Sequence, residues 1–166
     1  MHINRPSTLL TAALLLVLCT MCDREAKHAA ESLRGKRPLE LAGGFVTLSY
    51  AENRGAMLSI GAGLPERTRF LIFTAGVGIL LAGIAGAILF ASGLSRPLVI
   101  ALSLILAGGG GNLFDRLSHD GRVVDFVTLG AGGFRTGIFN IADVAIMLGA
   151  ALFLLTVTRS RNPQKT

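Results

Sequence analysis

Four apolar runs constrain this chain more than any other feature. Ser7 to Cys22, Phe70 to Leu94, Leu98 to Leu113 and Ile138 to Thr158 hold a single charged residue between them, Asp143. A helix needs about 20 apolar residues to cross the hydrocarbon of a bilayer. Two of the runs meet that length. The first is as short as Leu98 to Leu113, and its length also fits a signal peptide. No small-x-small cleavage site precedes the next charges, however, and three further runs follow. The pattern predicts four transmembrane helices, at about 7–27, 67–94, 97–116 and 138–158, in one integral membrane domain. Helices in lipid pack through small residues, and the 21 glycines suit that.

The net charge is +6. The basic residues sit in loops and tails between the runs, and no basic patch is interleaved with aromatics. That arrangement points to membrane lipid headgroups and away from nucleic acid. Four spans put both ends of the chain on one side of the membrane. The basic tail RSRNPQKT argues that this side is cytoplasmic. The raw count argues the opposite, because eleven of the sixteen Lys and Arg fall in the 24–69 and 115–136 segments. Charge alone leaves the orientation open. Cys19 and Cys22 are spaced i,i+3 with no second pair, a poor metal site.

The polar segments, about 28–66 and 117–137, carry their own structure. Glu31 to Lys36 extends a helix or forms a short separate one. Phe45, Thr47 and Ser49 alternate with Val46, Leu48 and Tyr50, the period of a strand. Ala51 to Ala56 (AENRGA) is expected to break that strand. His119-Asp120-Gly121 reads as a turn, and Arg122 to Val127 as a second strand.

The chemistry concentrates between Gly108 and Ala145. This stretch holds four of the ten acidic residues. Carboxylates beside lipid are costly and mark functional sites by default. Gly108, Asn112 and Arg116 share one helical face at i,i+4,i+8. Asp115 diverges from that face and suits a structural bond. In the strand, Asp125 stands between Val123 and Val127 on one side. Asn140 and Asp143 are i,i+3 on one face, with Asp143 about a turn and a half into its helix. If Asp125 and Asp143 face each other, they form a carboxylate dyad that shares a proton. Such a pair hydrolyses amides without a metal, one member taking a proton from water while the other polarises the carbonyl. Other readings stay open. The aspartates can cap helices or pair with Arg116, Arg122 and Arg135; they can carry protons in a small transporter; or they can serve a non-catalytic membrane scaffold. A transporter predicts an internal repeat, and the two chain halves share no motif. Histidines occur only at 2, 28 and 119, so no metal and no cofactor is expected.

The ordered set of motifs resembles the lipoprotein signal peptidase (signal peptidase II) family of intramembrane aspartic proteases. CDREAKHAA carries Asp23 and Lys27 four apart. SYAENRGAMLSI carries Asn53, Gly55 and Ala56. GGGGNLFDRLSHDGRVVDF and FNIADVAI carry the rest, and the four blocks span residues 22–149 in the family's order. The resemblance implies four transmembrane helices with a small periplasmic β-cradle and a short periplasmic helix. It implies an endopeptidase that cuts prolipoproteins just before a diacylglyceryl-modified cysteine, in the bacterial inner membrane, with the active site near the periplasmic face. It assigns Asp125 and Asp143 as the catalytic pair. It places Asn53, Asn112, Arg116 and Asn140 against the substrate or the cyclic peptide inhibitor globomycin. It gives Asp23, Lys27 and Asp115 structural roles. A monomer suffices for a dyad within one chain. Two departures stand out: Arg-Glu-Ala lies between Asp23 and Lys27, where the family usually has Gln and a hydroxyl residue, and Leu58 stands where Phe is usual.

Overall fold

The computed structural model describes residues 5–161. Four helices are long and apolar enough to cross a membrane: α1 (Arg5–Glu31), α2 (Glu66–Phe90), α3 (Arg96–Ser118) and α4 (Ile141–Arg161). The sheet is formed by β1 (Leu39–Leu41), β2 (Val46–Asn53), β3 (Val123–Ala131) and β4 (Phe134–Arg135), antiparallel in the order β1-β2-β3-β4. It lies at the end of the bundle where α1 and α3 finish and α2 and α4 begin.

The helix at the centre is α3. Half of its apolar window is buried, against 11%, 17% and 22% for α1, α2 and α4. The glycine run at its C-terminal half explains why. A Cβ at Gly108 would stand 2.3 Å from the Ala142 carbonyl oxygen on α4. One at Gly109 would stand 2.7 Å from Leu81 on α2, and one at Gly111 would stand 3.0 Å from the Asp23 carboxylate on α1. Successive glycines thus turn toward three different helices, and each lets a neighbour approach as close as backbone allows. Gly149 repeats the arrangement from α4, where a Cβ would meet the Ala101 carbonyl at 2.7 Å.

Several boundaries depart from expectation for local reasons. The first helix runs four residues beyond 27, because Lys27 is buried and ion-paired rather than solvated. The second ends at Phe90, short of 94; Gly93 with φ +80 lies in the turn that follows. The fourth begins at Ile141, not 138, because Phe139 pairs with a strand. The AENRGA stretch does not end its strand at 50; β2 continues to Asn53. The two short edge strands, β1 and β4, had no signal long enough to read. The short helix between the first two spans is reduced to single 3-10 turns at Ala42–Gly44 and Met57–Ser59.

Candidate active site

Asp125 lies in the buried half of β3 and is 1% exposed. The backbone of Phe139 docks alongside it: the Phe126 and Val127 amides donate to the Phe139 carbonyl at 3.0 and 2.9 Å, and the Phe139 amide donates to the Val127 carbonyl at 2.9 Å. Pinning residue 139 to residues 126 and 127 brings the next residue, Asn140, beside Asp125.

Asn140 opens α4. Its Oδ1 accepts from the Asp143 amide at 2.9 Å, while its own amide donates to Asp143 Oδ2 at 3.2 Å. This is a reciprocal capping box. Asp143 therefore sits in the first turn of its helix, a correction to its expected place a turn and a half inside. The same Asn140 reaches the other aspartate, its Nδ2 donating to Asp125 Oδ1 at 2.7 Å. Asn112 Nδ2 donates to Asp143 Oδ1 at 2.9 Å, and Asn53 Nδ2 donates to Asp125 Oδ2 at 2.9 Å. Asn112 and Asn140 also meet directly, Nδ2 of Asn140 lying 3.2 Å from Oδ1 of Asn112. Three amides thus bracket two buried carboxylates.

Asn53 arrives by an irregularity that alternation does not predict. Leu48 pairs with Val127, but Ala51 pairs with Asp125. One extra residue in β2 forms a bulge at Ser49 and Tyr50. Without it, Tyr50 and Glu52 would fall on the Asp125 face. With it, Ala51 and Asn53 do. Glu52 turns to the other face and pairs with Arg122 at 2.6 Å and with Arg34.

Two more buried carboxylates lie next to the pair, in a different electrostatic setting. Lys27, 4% exposed, places its Nζ 2.7 Å from Asp23 and 2.8 Å from Asp115, and donates to Asn112 Oδ1 at 3.0 Å. Asp115 also binds Arg24 at 2.7 Å, and the Arg24 guanidinium stacks on Phe114. Asp23 accepts the Ala142 amide at 2.9 Å, closing the first turn of α4 from α1. These carboxylates neutralise cations and anchor backbone. Asp125 and Asp143, by contrast, have no cation within salt-bridge distance among the described residues.

Arg116 does not bond either member of the pair. Its Nη2 donates to the Gly55 carbonyl at 2.7 Å and its Nη1 to the Asn112 carbonyl at 3.4 Å. It fastens the loop after β2, which Asn53 also holds through the Ala56 carbonyl at 2.9 Å. Gly55 is required there, since a Cβ would lie 2.4 Å from the Ile60 carbonyl. Leu58 sits in the left-handed region (φ 59) and packs on Gly137.

Burial pushes the Asp125 carboxyl up to about 6. Hydrogen bonds from Asn53 and Asn140 and the charge of Lys27 oppose that rise, and the neighbouring Asp143 adds to it. A carboxyl with this property exchanges a proton near neutral pH, as general acid–base work requires. Asn53, Asn112, Asp125, Asn140 and Asp143 form one hydrogen-bonded network with Lys27, Asp23 and Asp115 beside it, Arg116 holds the adjoining loop, and Arg122 and Arg135 pair elsewhere, with Glu52 and Glu40. Arg24 was missed. Nothing local marks it, because its partner Asp115 lies 91 positions away.

The family profile of signal peptidase (SPase) II matches residues 15–159. The chain belongs to the signal peptidase II family. It is 36% identical over 160 residues to the lipoprotein signal peptidase of Syntrophus aciditrophicus (strain SB), covering 95% of each chain. It is 38% identical over 150 residues to that of Methylobacterium sp. (strain 4-46), covering 89% of this chain and 86% of the relative. A bacterial membrane enzyme solved by the in meso method at 2.3 Å resolution superposes with a TM-score of 0.79 at 25% identity, covering 93% of this chain and 92% of that one. As a member of the family, the chain is a multi-pass bacterial membrane protein and an aspartic protease that removes signal peptides from prolipoproteins.

Proposed function

We propose that Asp125 and Asp143 are the catalytic pair and that they cut the peptide bond before a diacylglyceryl-modified cysteine. The observation that supports this is the contrast among the four buried carboxylates. Asp23 and Asp115 are neutralised by Lys27 and Arg24, whereas Asp125 and Asp143 are joined through Asn140 without a cation. Two such carboxyls cannot both ionise cheaply, so one holds a proton. The ionised member takes a proton from water as the water oxygen bonds to the scissile carbonyl carbon. The protonated member gives its proton to the carbonyl oxygen, forming a neutral tetrahedral diol. Collapse of the diol breaks the C–N bond: the newly protonated carboxyl gives its proton to the leaving amine, and the ionised carboxylate takes the proton of one diol hydroxyl as the carbonyl re-forms, which restores the starting pair. Asn112 and Asn140 orient the two carboxyls, and Asn53 holds Asp125. Arg116 acts by fixing the loop after β2 over the substrate. Asp23, Lys27 and Asp115 hold α1, α3 and α4 in register beneath the pair.

In this reading the bundle lies in the inner membrane with the sheet on the periplasmic side. The lipid-anchored substrate enters sideways from the bilayer, and one chain suffices. The purified protein is expected to cleave a diacylglyceryl-modified prolipoprotein, to leave the unmodified precursor intact, and to be inhibited by globomycin. Equal cleavage of both precursors, or no cleavage by a folded sample, contradicts the proposal.

A further inference from the structure

Arg116 also lines a cleft of about 510 Å³. Its walls are the first turns of α2, the last turn of α3 and the turn that precedes β3. Four arginines line it: Arg54, Arg69, Arg116 and Arg122. Of the four, only Arg122 makes an ion pair among the described residues. Arg69 donates only to the carbonyls of Ala62 and Leu64, and Arg116 only to those of Gly55 and Asn112, among the described residues. Arg54 has no ion-pair partner among the described residues, and Arg122 pairs with Glu52, which does not line the cleft. The Nε atoms of Arg116 and Arg122 are buried without an acceptor. Glu66 and Asp120 also line the cleft, yet neither lies within salt-bridge distance of these arginines. A concave site with surplus guanidinium charge attracts an oxyanion, and phosphate fits the guanidinium fork.

The position of the cleft selects the kind of phosphate. It opens where two apolar helices end. The lining residues Phe70 and Leu117 are 55% and 67% exposed and continue onto the apolar surfaces of α2 and α3. The α2 stretch that supplies Phe70, Phe73 and Thr74 is π-helical, an irregularity that recurs at functional sites. A ligand seated here has its head among arginines and its tail against hydrocarbon. Eleven of the sixteen Lys and Arg lie at this end of the bundle together with all ten Asp and Glu, so the preference for an anion rests on the local cluster of arginines.

We propose that this cleft binds the headgroup phosphate of an anionic phospholipid next to the peptidase site. The readout is lipid binding, so its outcome is separable from that of the peptidase reading. The protein is placed in nanodiscs of phosphatidylcholine with and without phosphatidylglycerol. Retained lipid is measured by native mass spectrometry, and a photoactivatable phosphatidylglycerol maps the contact. Preferential retention of phosphatidylglycerol is expected, with crosslinks to the first turns of α2 or to residues 116–122. Arg54→Gln should weaken that retention several-fold and Arg54→Gln/Arg122→Gln roughly tenfold or more, since each arginine at a lipid surface contributes on the order of a factor of five. The single variant disturbs no ion pair, so it stays informative if the double one misfolds. Retention independent of lipid charge, unchanged retention in Arg54→Gln, or crosslinks confined to other faces would overturn the proposal. So would inorganic phosphate in detergent raising the thermal midpoint as much as the lipid does, which would mark a site for free anions.

Discussion

Asp125 is the residue whose behaviour most depends on its neighbours. Its carboxyl is held up to about 6 by burial, with Asp143 adding to the rise. The sign of the linkage follows. Between about pH 4 and pH 6 the folded protein keeps a proton that the unfolded chain has released, so this group's contribution to stability is greatest at low pH. It declines as pH rises through that window, by at most roughly 3 kcal/mol, and is constant above it. A difference-infrared titration of the Asp125 carboxyl, assigned by its loss in Asp125→Asn, is expected to inflect near pH 6. In Asp143→Asn the inflection should move lower, because the neighbouring charge is gone. An unmoved inflection would mean that the two carboxyls do not interact. At this scale the sequence was informative: Asp125 between valines and Asp143 in an apolar helix stand out by cost alone. It misplaced Asp143 within its helix because the docking of Phe139 on β3 depends on a partner outside the local sequence.

Among the elements, β2 departs most from what its sequence suggests. Its alternation reads correctly from Val46 to Leu48, then the bulge reverses the phase. A bulge leaves no mark on a period-two pattern until the partner strand is known, which is why AENRGA looked like a strand end. The consequence can be tested by deleting Ser49. The deletion removes the extra residue but keeps Ala51 opposite Asp125 and Asn53 opposite Val123, so the face that Asn53 occupies is unchanged. Activity is expected to stay within about tenfold of the parent in the deletion variant and to fall at least about a hundredfold in Asn53→Ala, the scale seen when a positioning group is lost, while both keep the helical circular dichroism. Parental activity in Asn53→Ala would show that Asn53 does not position Asp125. The helices were easier to read, since apolar length sets a span directly. Their ends shifted by a few residues wherever a buried ion pair or a cap intervened.

For the whole molecule, α3 is the hub, and its glycines decide whether the four helices reach one another. Gly108→Ala puts a methyl group into the Ala142 carbonyl and should cost about 1–3 kcal/mol by overpacking. A Cβ at Gly110 would meet nothing within 4 Å, so Gly110→Ala should be neutral or stabilise by up to about 1 kcal/mol. Thermal midpoints of the two variants in the same detergent check this, and equal effects would argue against the hub. The glycine run was visible in the sequence as a close-packing signal, but which glycine meets which helix follows only from the assembled bundle. That assembly brings Asn53, Asn112, Asp125, Asn140 and Asp143, far apart in the chain, into one buried network. The most direct test of its purpose is to offer diacylglyceryl-modified prolipoprotein to the parent, to Asp125→Asn and to Asp143→Asn, with the products weighed by mass spectrometry. Both variants should remain folded and lose at least about a hundredfold in cleavage before the modified cysteine; cleavage at the parental rate by either one would contradict the assignment.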